Sequence, residues 1–254
     1  MLTPNQIINY QAPAKLLNDR IILITGAGAG IGKAAAIASA KAGAEVILAG
    51  RNVDKLEAVY NLICEANLAE PAIVPIDLEG ATPSDYDDLC LEIDRRFGRL
   101  DGLLNNAAIL GQRTPLTHYP AALWNRVIQV NVTSQFQITQ ALMSVLEKSN
   151  DASVIFTSSG VGRLGKAFWG AYGVSKFAIE GLVQTWASEQ EGLGSVRLNA
   201  INPGATKTNM RADAFPAEDP SILSTAEDIM PAYLFLLGPD SMNVNGQSID
   251  AQAR

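Results

Sequence analysis

Short apolar runs alternate with longer stretches of helical periodicity along the whole chain, and this alternation limits the fold more than any other feature. The runs are RIILIT (20–25), EVILA (45–49), AIVPI (72–76), LDGLLN (100–105), SVIFTS (153–158), SVRLNAI (195–201) and QSID (247–250). Several of them lack inside–outside alternation, as strands buried on both faces do. Helical patterns lie between them near 30–42, 53–68, 84–97, 119–148, 170–190 and 225–237. Strands and helices in this order call for right-handed crossovers and a parallel sheet covered on both faces. No linker, repeat or low-complexity tract interrupts the pattern. The expectation is a single-domain α/β fold with a doubly wound parallel sheet, the Rossmann arrangement, over 19–254. A polar, irregular N-terminal arm, 1–18, lies on its body. In such sheets ligands bind beyond the carboxyl ends of the strands, so residues that do chemistry should follow the strands.

Composition narrows the function. A chain of 254 residues can bury a sizeable core. Its net charge of −7 speaks against general affinity for nucleic acid or anionic lipid, because nothing offsets phosphate repulsion over the surface. No apolar run approaches the roughly 20 residues of a membrane span, and the start, MLTPNQIINYQAP, lacks the basic-then-apolar order of a leader. Cys64 and Cys90 fall in helical patterns, a poor disulfide framework, which suits a reducing cytoplasm. With one histidine and two scattered cysteines, no metal site is expected.

The first run leads into TGAGAGIG (25–32) and then the helical KAAAIASAKAG. Gly26 suits a tight turn, Gly30 lets backbone approach a phosphate, and Gly32 lets helix and strand pack closely. The new helix aims free N–H groups and its positive dipole end at the turn. The spacing is GxxxGxG, and no Gly-Lys-Ser/Thr follows, so this is not a nucleotide-triphosphate loop. A strand before and a helix after favour a dinucleotide over a bare glycine-rich turn. The second strand ends in Gly50-Arg51. An enzyme preferring NAD commonly has an acid near this point for the ribose 2′-hydroxyl. Arg51 instead offers a planar fork suited to a 2′-phosphate, so NADP(H) is expected ahead of NAD(H); a solvated loop arginine is the bland alternative. Asp77, after the third strand, is either an acceptor for the adenine amino group or a solvated turn residue.

After the fifth run comes SSGVGRLGKAFWGAYGVSK (158–176). Ser159 precedes Tyr172 by thirteen residues, and Lys176 follows four later, one helical turn along the same face. A free phenol titrates near 10, and lowering it by about 3 units takes about 4 kcal/mol. A close ammonium assisted by a cationic nicotinamide can supply that. Ser159 can hold a substrate oxygen beside the phenol. Tyr and Lys four apart are ordinary on helices; their pairing with the glycine loop is what gives them weight.

The chain resembles the short-chain dehydrogenase/reductase family in its small single-domain branch. TGAGAGIG matches the TGxxxGxG loop; Asn105-Asn106-Ala107-Ala108 matches NNAG with alanine for the last glycine. Asn131, in QVNVTS, falls at the fourth catalytic position. Ser159, Tyr172 and Lys176 match the Ser–Tyr–Lys set, and Asn202-Pro203-Gly204 through Thr206 matches the loop beside the nicotinamide. The likeness runs over about 18–250, and LLNDRIIL, FTSSGVGR, WGAYGVSKFA, AFPAEDP and IDAQ resemble one bacterial branch. It implies Tyr172 as general acid in reduction and base in oxidation. Lys176 then lowers its pKa and binds the nicotinamide ribose, Ser159 positions the carbonyl oxygen, and Asn131 holds a water linking Lys176 to solvent. The cofactor contacts it implies are Gly26, Ala29, Gly30, Ile31, Gly32, Arg51, Asp77, Leu78, Asn105, Ala107, Tyr172, Lys176, Pro203, Gly204 and Thr206. The partner is a small carbonyl or alcohol; the alternative is a non-catalytic NADP(H) sensor, whose usual mark, a lost Tyr or Lys, is missing here.

Segment 204–224, with Met210 and Phe215, reads as a substrate lid. Phe168 and Trp169 wall the pocket or belong to the core; His118 reads as a surface loop residue. Leu110, Phe168, Trp169 and Met210 lean the pocket towards apolar substrates. The 170–190 helix is apolar around most of its circumference, so a homodimer or homotetramer is expected, with the helix starting near Asn131 as its partner.

Overall fold

Ile21–Thr25 (β1) is buried along its whole length, and its side chains divide by parity. Ile22 and Ile24 enter one core, Ile21 and Leu23 the other. Successive side chains of a strand point to opposite faces, so an unbroken apolar run is what a strand covered on both sides needs. The structure, a computed structural model, describes residues 3–192 and 194–253. The further strands are Glu45–Gly50 (β2), Ala72–Pro75 (β3), Gly102–Asn105 (β4), Ala152–Thr157 (β5), Val196–Asn202 (β6) and Ser248–Asp250 (β7). All pair in parallel, in the order β3-β2-β1-β4-β5-β6-β7. The order reverses between β1 and β4, and that switch point opens a crevice at the strands' carboxyl ends.

The helices are Pro4–Ile8 (α1), Gly30–Lys41 (α2), Val53–Glu65 (α3), Pro83–Phe97 (α4), Ala121–Ile128 (α5), Ser134–Leu146 (α6), Gly170–Glu189 (α7), Asn209–Ala214 (α8) and Met230–Leu237 (α9). Ala34, Ala35 and Ala36 of α2, Leu56 and Val59 of α3 and Phe235 of α9 fill the core of one face. Tyr86 and Leu89 of α4, Ile138 and Leu142 of α6 and Ile179 and Val183 of α7 fill the other. The doubly wound expectation holds.

Three segments depart from the sequence reading. The N-terminal residues are not irregular throughout. Thr3 and Gln6 form a capping box, the Thr3 N–H donating to Gln6 Oε1 at 2.8 Å, and Pro4 opens α1. A capping box and an early proline are good helix starts. Ile7 and Leu17 are buried, and the Leu17 N–H donates to Ala42 O at 2.9 Å. The 119–148 pattern is three pieces. Pro120 disfavours helix at Tyr119, α5 starts after it, and a π-helical turn, Gln129–Thr133, separates α5 from α6. One extra residue in a turn is invisible to a 3.6-residue pattern. The 225–237 pattern is helical only from Met230, because Thr225 and Asp228 close a turn of their own, Thr225 N–H to Asp228 Oδ2 at 2.7 Å.

Candidate active site

The glycine loop closes because two of its residues have no side chain. Gly26 has φ +68°, and a Cβ there would lie 3.1 Å from the Ala107 Cα. A Cβ on Gly32 would lie 2.2 Å from the Gly26 carbonyl oxygen. Ala29, the extended residue before α2, offers no side-chain cap, so the first N–H groups of α2 face the crevice free, where an anion would meet them. Thr25 ties this loop to the next one. Its hydroxyl donates to Leu104 O at 3.3 Å and accepts from Asn106 N–H at 2.9 Å and Ala107 N–H at 3.1 Å. Gln135 donates to Ala107 O at 2.9 Å from below.

One cavity of about 580 Å³ runs over these strand ends. Arg51, Asp77 and Leu78 line its far end; Gly26, Ala29, Gly30, Ile31 and Ala107 line its middle; Pro203, Gly204, Thr206, Ser159, Tyr172 and Lys176 line its near end. A dinucleotide fits this arrangement: an uncapped helix start at the centre, an arginine at one end and a phenol–ammonium pair at the other. Asp77 also closes its own turn, accepting from Glu79 N–H at 3.2 Å. Two expected contacts lie outside the lining. Gly32 is buried against Gly26, and Asn105 is fully buried with its amide donating to Thr139 Oγ1 at 2.8 Å. Asn106, its neighbour, lines the cavity instead.

Tyr172 and Lys176 sit one turn apart on α7, and Ser159 follows β5. The Ser159 side chain stands near enough to the Tyr172 hydroxyl to favour its charged form. Lys176 donates to the carbonyl of Thr157 at 2.6 Å, and its Nζ lies 5.5 Å from the Tyr172 ring centre. Both groups are buried, and burial disfavours charge. It pushes the phenol up to about 12, the nearby Ser159 side chain opposing it. It pulls the Lys176 ammonium down to about 8, the Glu180 carboxylate opposing that. The lowered phenol was expected from Lys176 together with a cationic nicotinamide; with the chain's own groups alone, burial sets the direction.

Asn131 stands behind the cavity wall, fully buried in the π-helical turn. Its carbonyl accepts from Ile109 N–H at 2.8 Å, and its amide donates to Ile109 O at 2.9 Å and Ser175 Oγ at 3.1 Å. It thus fastens the loop after β4 to α7. Trp169 lines the cavity, whereas Phe168 is 54% exposed and does neither job foreseen for it. His118 is exposed, in a 3-10 turn.

Two supporting residues escaped the sequence reading. Glu180, one turn beyond Lys176, accepts from Ser158 Oγ and from Ser248 Oγ at 2.8 Å, and Arg163 approaches it at 3.5 Å. Its i+8 spacing from Tyr172 was the available signal. Gln252 donates to Pro203 O at 2.6 Å and Ala205 O at 3.2 Å, holding the loop after β6 from the far end of the chain. Only the IDAQ segment hinted at it.

Residues 20–219 match the family model for short chain dehydrogenases. The chain belongs to that family. It is an oxidoreductase that passes a hydride between a nicotinamide cofactor and a carbonyl or alcohol. It is 48% identical over 245 residues to the oxidoreductase YciK of Escherichia coli (strain K12), covering 96% of each chain. A short chain dehydrogenase from Pseudomonas syringae is 53% identical with a TM-score of 0.94, over 96% of this chain and 98% of that one. Another from Escherichia coli CFT073, solved as a complex with NADPH, is 49% identical with a TM-score of 0.92, over 95% of this chain and 100% of that one. The bacterial branch that the short segments resembled is thus the YciK-like one. Among the described residues, no helix of this short-chain dehydrogenase is long and apolar enough to cross a membrane.

Proposed function

We propose that this short-chain dehydrogenase uses NADP(H), with Tyr172 exchanging the proton and Lys176, Ser159 and Asn131 supporting it. The observation that carries the reading is the single cavity with Arg51 at one end, the uncapped start of α2 at its centre and Tyr172 with Lys176 at the other end. The NADPH complex of the 49% identical relative supports the choice of cofactor. When bound, the nicotinamide supplies or accepts the hydride. Ser159 holds the substrate oxygen, and the Tyr172 hydroxyl gives it a proton in reduction. A phenol held near 12 stays protonated at neutral pH, which is the form reduction needs; oxidation needs the phenolate and leans on charge brought by the cofactor. Lys176 grips the ribose hydroxyls and steadies the phenolate. Asn131 has no amide proton left for a water, so a water link from Lys176 to solvent runs through its main chain in the π-helical turn.

Segment 204–224 serves as the substrate lid. A bridge between Thr206 and Ser224 closes its base, with the Lys207 N–H donating to Ser224 O at 2.8 Å. The working unit is a homodimer or homotetramer. Phe136 on α6 and Val174 and Phe177 on α7 are 38%, 42% and 45% exposed, an apolar face that a second copy would cover. Light scattering that finds only monomer at micromolar concentration overturns this assembly. Two free thiols, Cys64 and Cys90, suit the reducing cytoplasm.

The function is tested by following NADPH and NADH absorbance with purified protein across aldehydes, ketones, quinones and keto-esters. The expected result is NADPH-dependent turnover of at least one class. Tight NADPH binding without turnover of any class would overturn the enzymatic reading.

A further inference from the structure

Trp169 owes its place over Tyr172 to a strained turn. Phe168 has φ +71° while its ring is 54% exposed. A bulky residue adopts that conformation only where its surroundings impose it, and packing of an exposed ring imposes nothing. Gly170, next in the turn, has φ +47°, and a Cβ there would lie 2.2 Å from the Tyr119 ring. Tyr119 therefore wedges the turn, and Trp169 between these two residues faces into the cavity. Its ring centre lies 5.6 Å from that of Tyr172 and 5.8 Å from that of Phe215 in the lid, tilted against both.

Two guanidinium groups lock this aromatic row. Arg113 lies 4.9 Å from the Trp169 ring and 4.6 Å from the Phe215 ring, and donates to Ala214 O. Arg211 lies 3.9 Å from Phe215 and is itself held by Glu218 through bonds of 2.6 and 2.5 Å. Cations over ring faces are attracted to them, so the loop bearing Arg113, the strained turn and the lid converge on the Trp169 ring.

We infer that Trp169 is the surface on which the substrate lies, and that the substrate carries a flat aromatic or conjugated group next to its carbonyl. The inference rests on Tyr172 and Ser159 receiving the carbonyl oxygen, as proposed above. Atoms attached to a carbonyl at that point come within reach of the indole, because the Trp169 and Tyr172 rings are neighbours. A saturated chain gains only burial against such a wall. A flat π system gains stacking as well. Arg113 is a positioning residue that holds the lid against the platform.

The test separates stacking from chemistry. Unreactive 2-naphthamide and its saturated decalin counterpart are titrated into the NADP⁺-loaded protein by calorimetry. The wild type should bind the flat amide about 3- to 10-fold tighter. Trp169→Leu should bring the two within about twofold of each other, and Trp169→Phe should keep most of the preference. Retained NADPH binding shows that the variants are folded. Equal wild-type affinities, no binding of either amide, or a preference unchanged in Trp169→Leu would overturn the inference. The matching aldehydes are then offered with NADPH. Reduction of both without any flat-ring preference in binding sinks the stacking platform and leaves the proton role of Tyr172 standing. A binding preference without reduction does the reverse.

Discussion

At the amino ends of the strands, Arg20, Asp101, Asp151 and Arg197 stand just before or inside β1, β4, β5 and β6 and are tied into one hydrogen-bonded cluster. Arg20 reaches Asp151 at 3.0 Å, Arg197 pairs with the other oxygen of Asp151, and Asp101 accepts from Ile21 N–H at 2.9 Å and Ser149 Oγ at 2.6 Å. Arg197 spends further donors on the carbonyls of Leu236 and Gly238 and on Ser241 Oγ. At the carboxyl ends, the buried pair is Tyr172 and Lys176, and burial moves both away from their ordinary ranges. Both ends bury charge or would-be charge, Lys176 more deeply than Arg20 and Asp151. One end matches each charge to a counter-charge and becomes a fastener. The other leaves a proton donor and an ammonium without carboxylates of their own on the cavity side, and such perturbed groups in a cleft are what proton-transfer chemistry uses.

The sharpest way to break the contrast is to remove the phenol oxygen. Tyr172→Phe keeps the ring and its packing, and it takes away the group proposed to protonate the developing alkoxide. Turnover should fall by at least about 100-fold, the usual lower bound for losing general acid–base catalysis. NADPH affinity and the melting temperature should stay near wild type. Retention of more than about a tenth of the rate would mean that another group supplies the proton.

The same operation at the other end should leave chemistry intact and cost stability. Asp151→Asn leaves Arg20 and Arg197 facing each other without their shared carboxylate. Breaking a buried pair on one side costs about 3–5 kcal/mol, or about 6–15 °C in melting temperature for a chain of this size. Calorimetry should show the loss, while NADPH binding by the remaining folded protein stays normal. A melting temperature unchanged within about 2 °C would mean that these charges are well enough solvated to need no partner.

The contrast between the ends also explains what was legible in the sequence. Strand runs, the glycine turn and the Tyr–Lys spacing are local patterns, and each was readable because a period or a missing side chain carries it. Asn105 and Asn106 are neighbours of the same type, and only register decides that the first turns to Thr139 in the core and the second to the cavity. The π-helical turn holding Asn131 differs from α-helix by a single inserted residue. Glu180, Gln252 and the arginines at the amino ends act across about 20 to 130 positions, and nothing local announces such pairings. Spacing places Lys176 beside Tyr172 but does not reveal the burial that raises the phenol while no cofactor is bound.

Within the carboxyl end, Arg51 and Tyr172 can be separated by cofactor. Arg51→Ala should weaken NADPH by about 10-fold or more, the worth of one charge-assisted pair, and leave NADH almost unchanged. Fluorescence titration of both cofactors checks it. An equal loss for both would assign Arg51 to the shared part of the dinucleotide, and a wild-type preference for NADH would remove the 2′-phosphate from its role.

The smallest expected effect tests whether the carboxyl end has a fastener of its own. Lys176 donates to Thr157 O, and Glu180, one turn on, accepts from Ser158, so α7 grips two successive residues of the chain leaving β5. That grip sets Ser159 against Tyr172. The groups around the ammonium are Tyr172 and Glu180 on its own helix and the Thr157 carbonyl from β5; Arg163 and, through it, Asp250 reach Glu180 from the other side. Glu180→Gln keeps an oxygen for Ser158 and Ser248 and removes the charge. Burial has already lowered Lys176 from 10.5 to about 8, and the Glu180 charge is what opposes it. Without that charge the ammonium should lose its proton at still lower pH. Between the folded and unfolded values the unfolded chain holds more protons, so this residue's contribution to stability rises with pH there, and in the variant that window opens earlier. NADPH affinity, followed by fluorescence from about pH 6 to about pH 9, should decline through a midpoint near that of Lys176 in the wild type and through a lower one in Glu180→Gln. A midpoint that stays put or moves upward would show that Glu180 holds the strand end mechanically and does not tune the lysine.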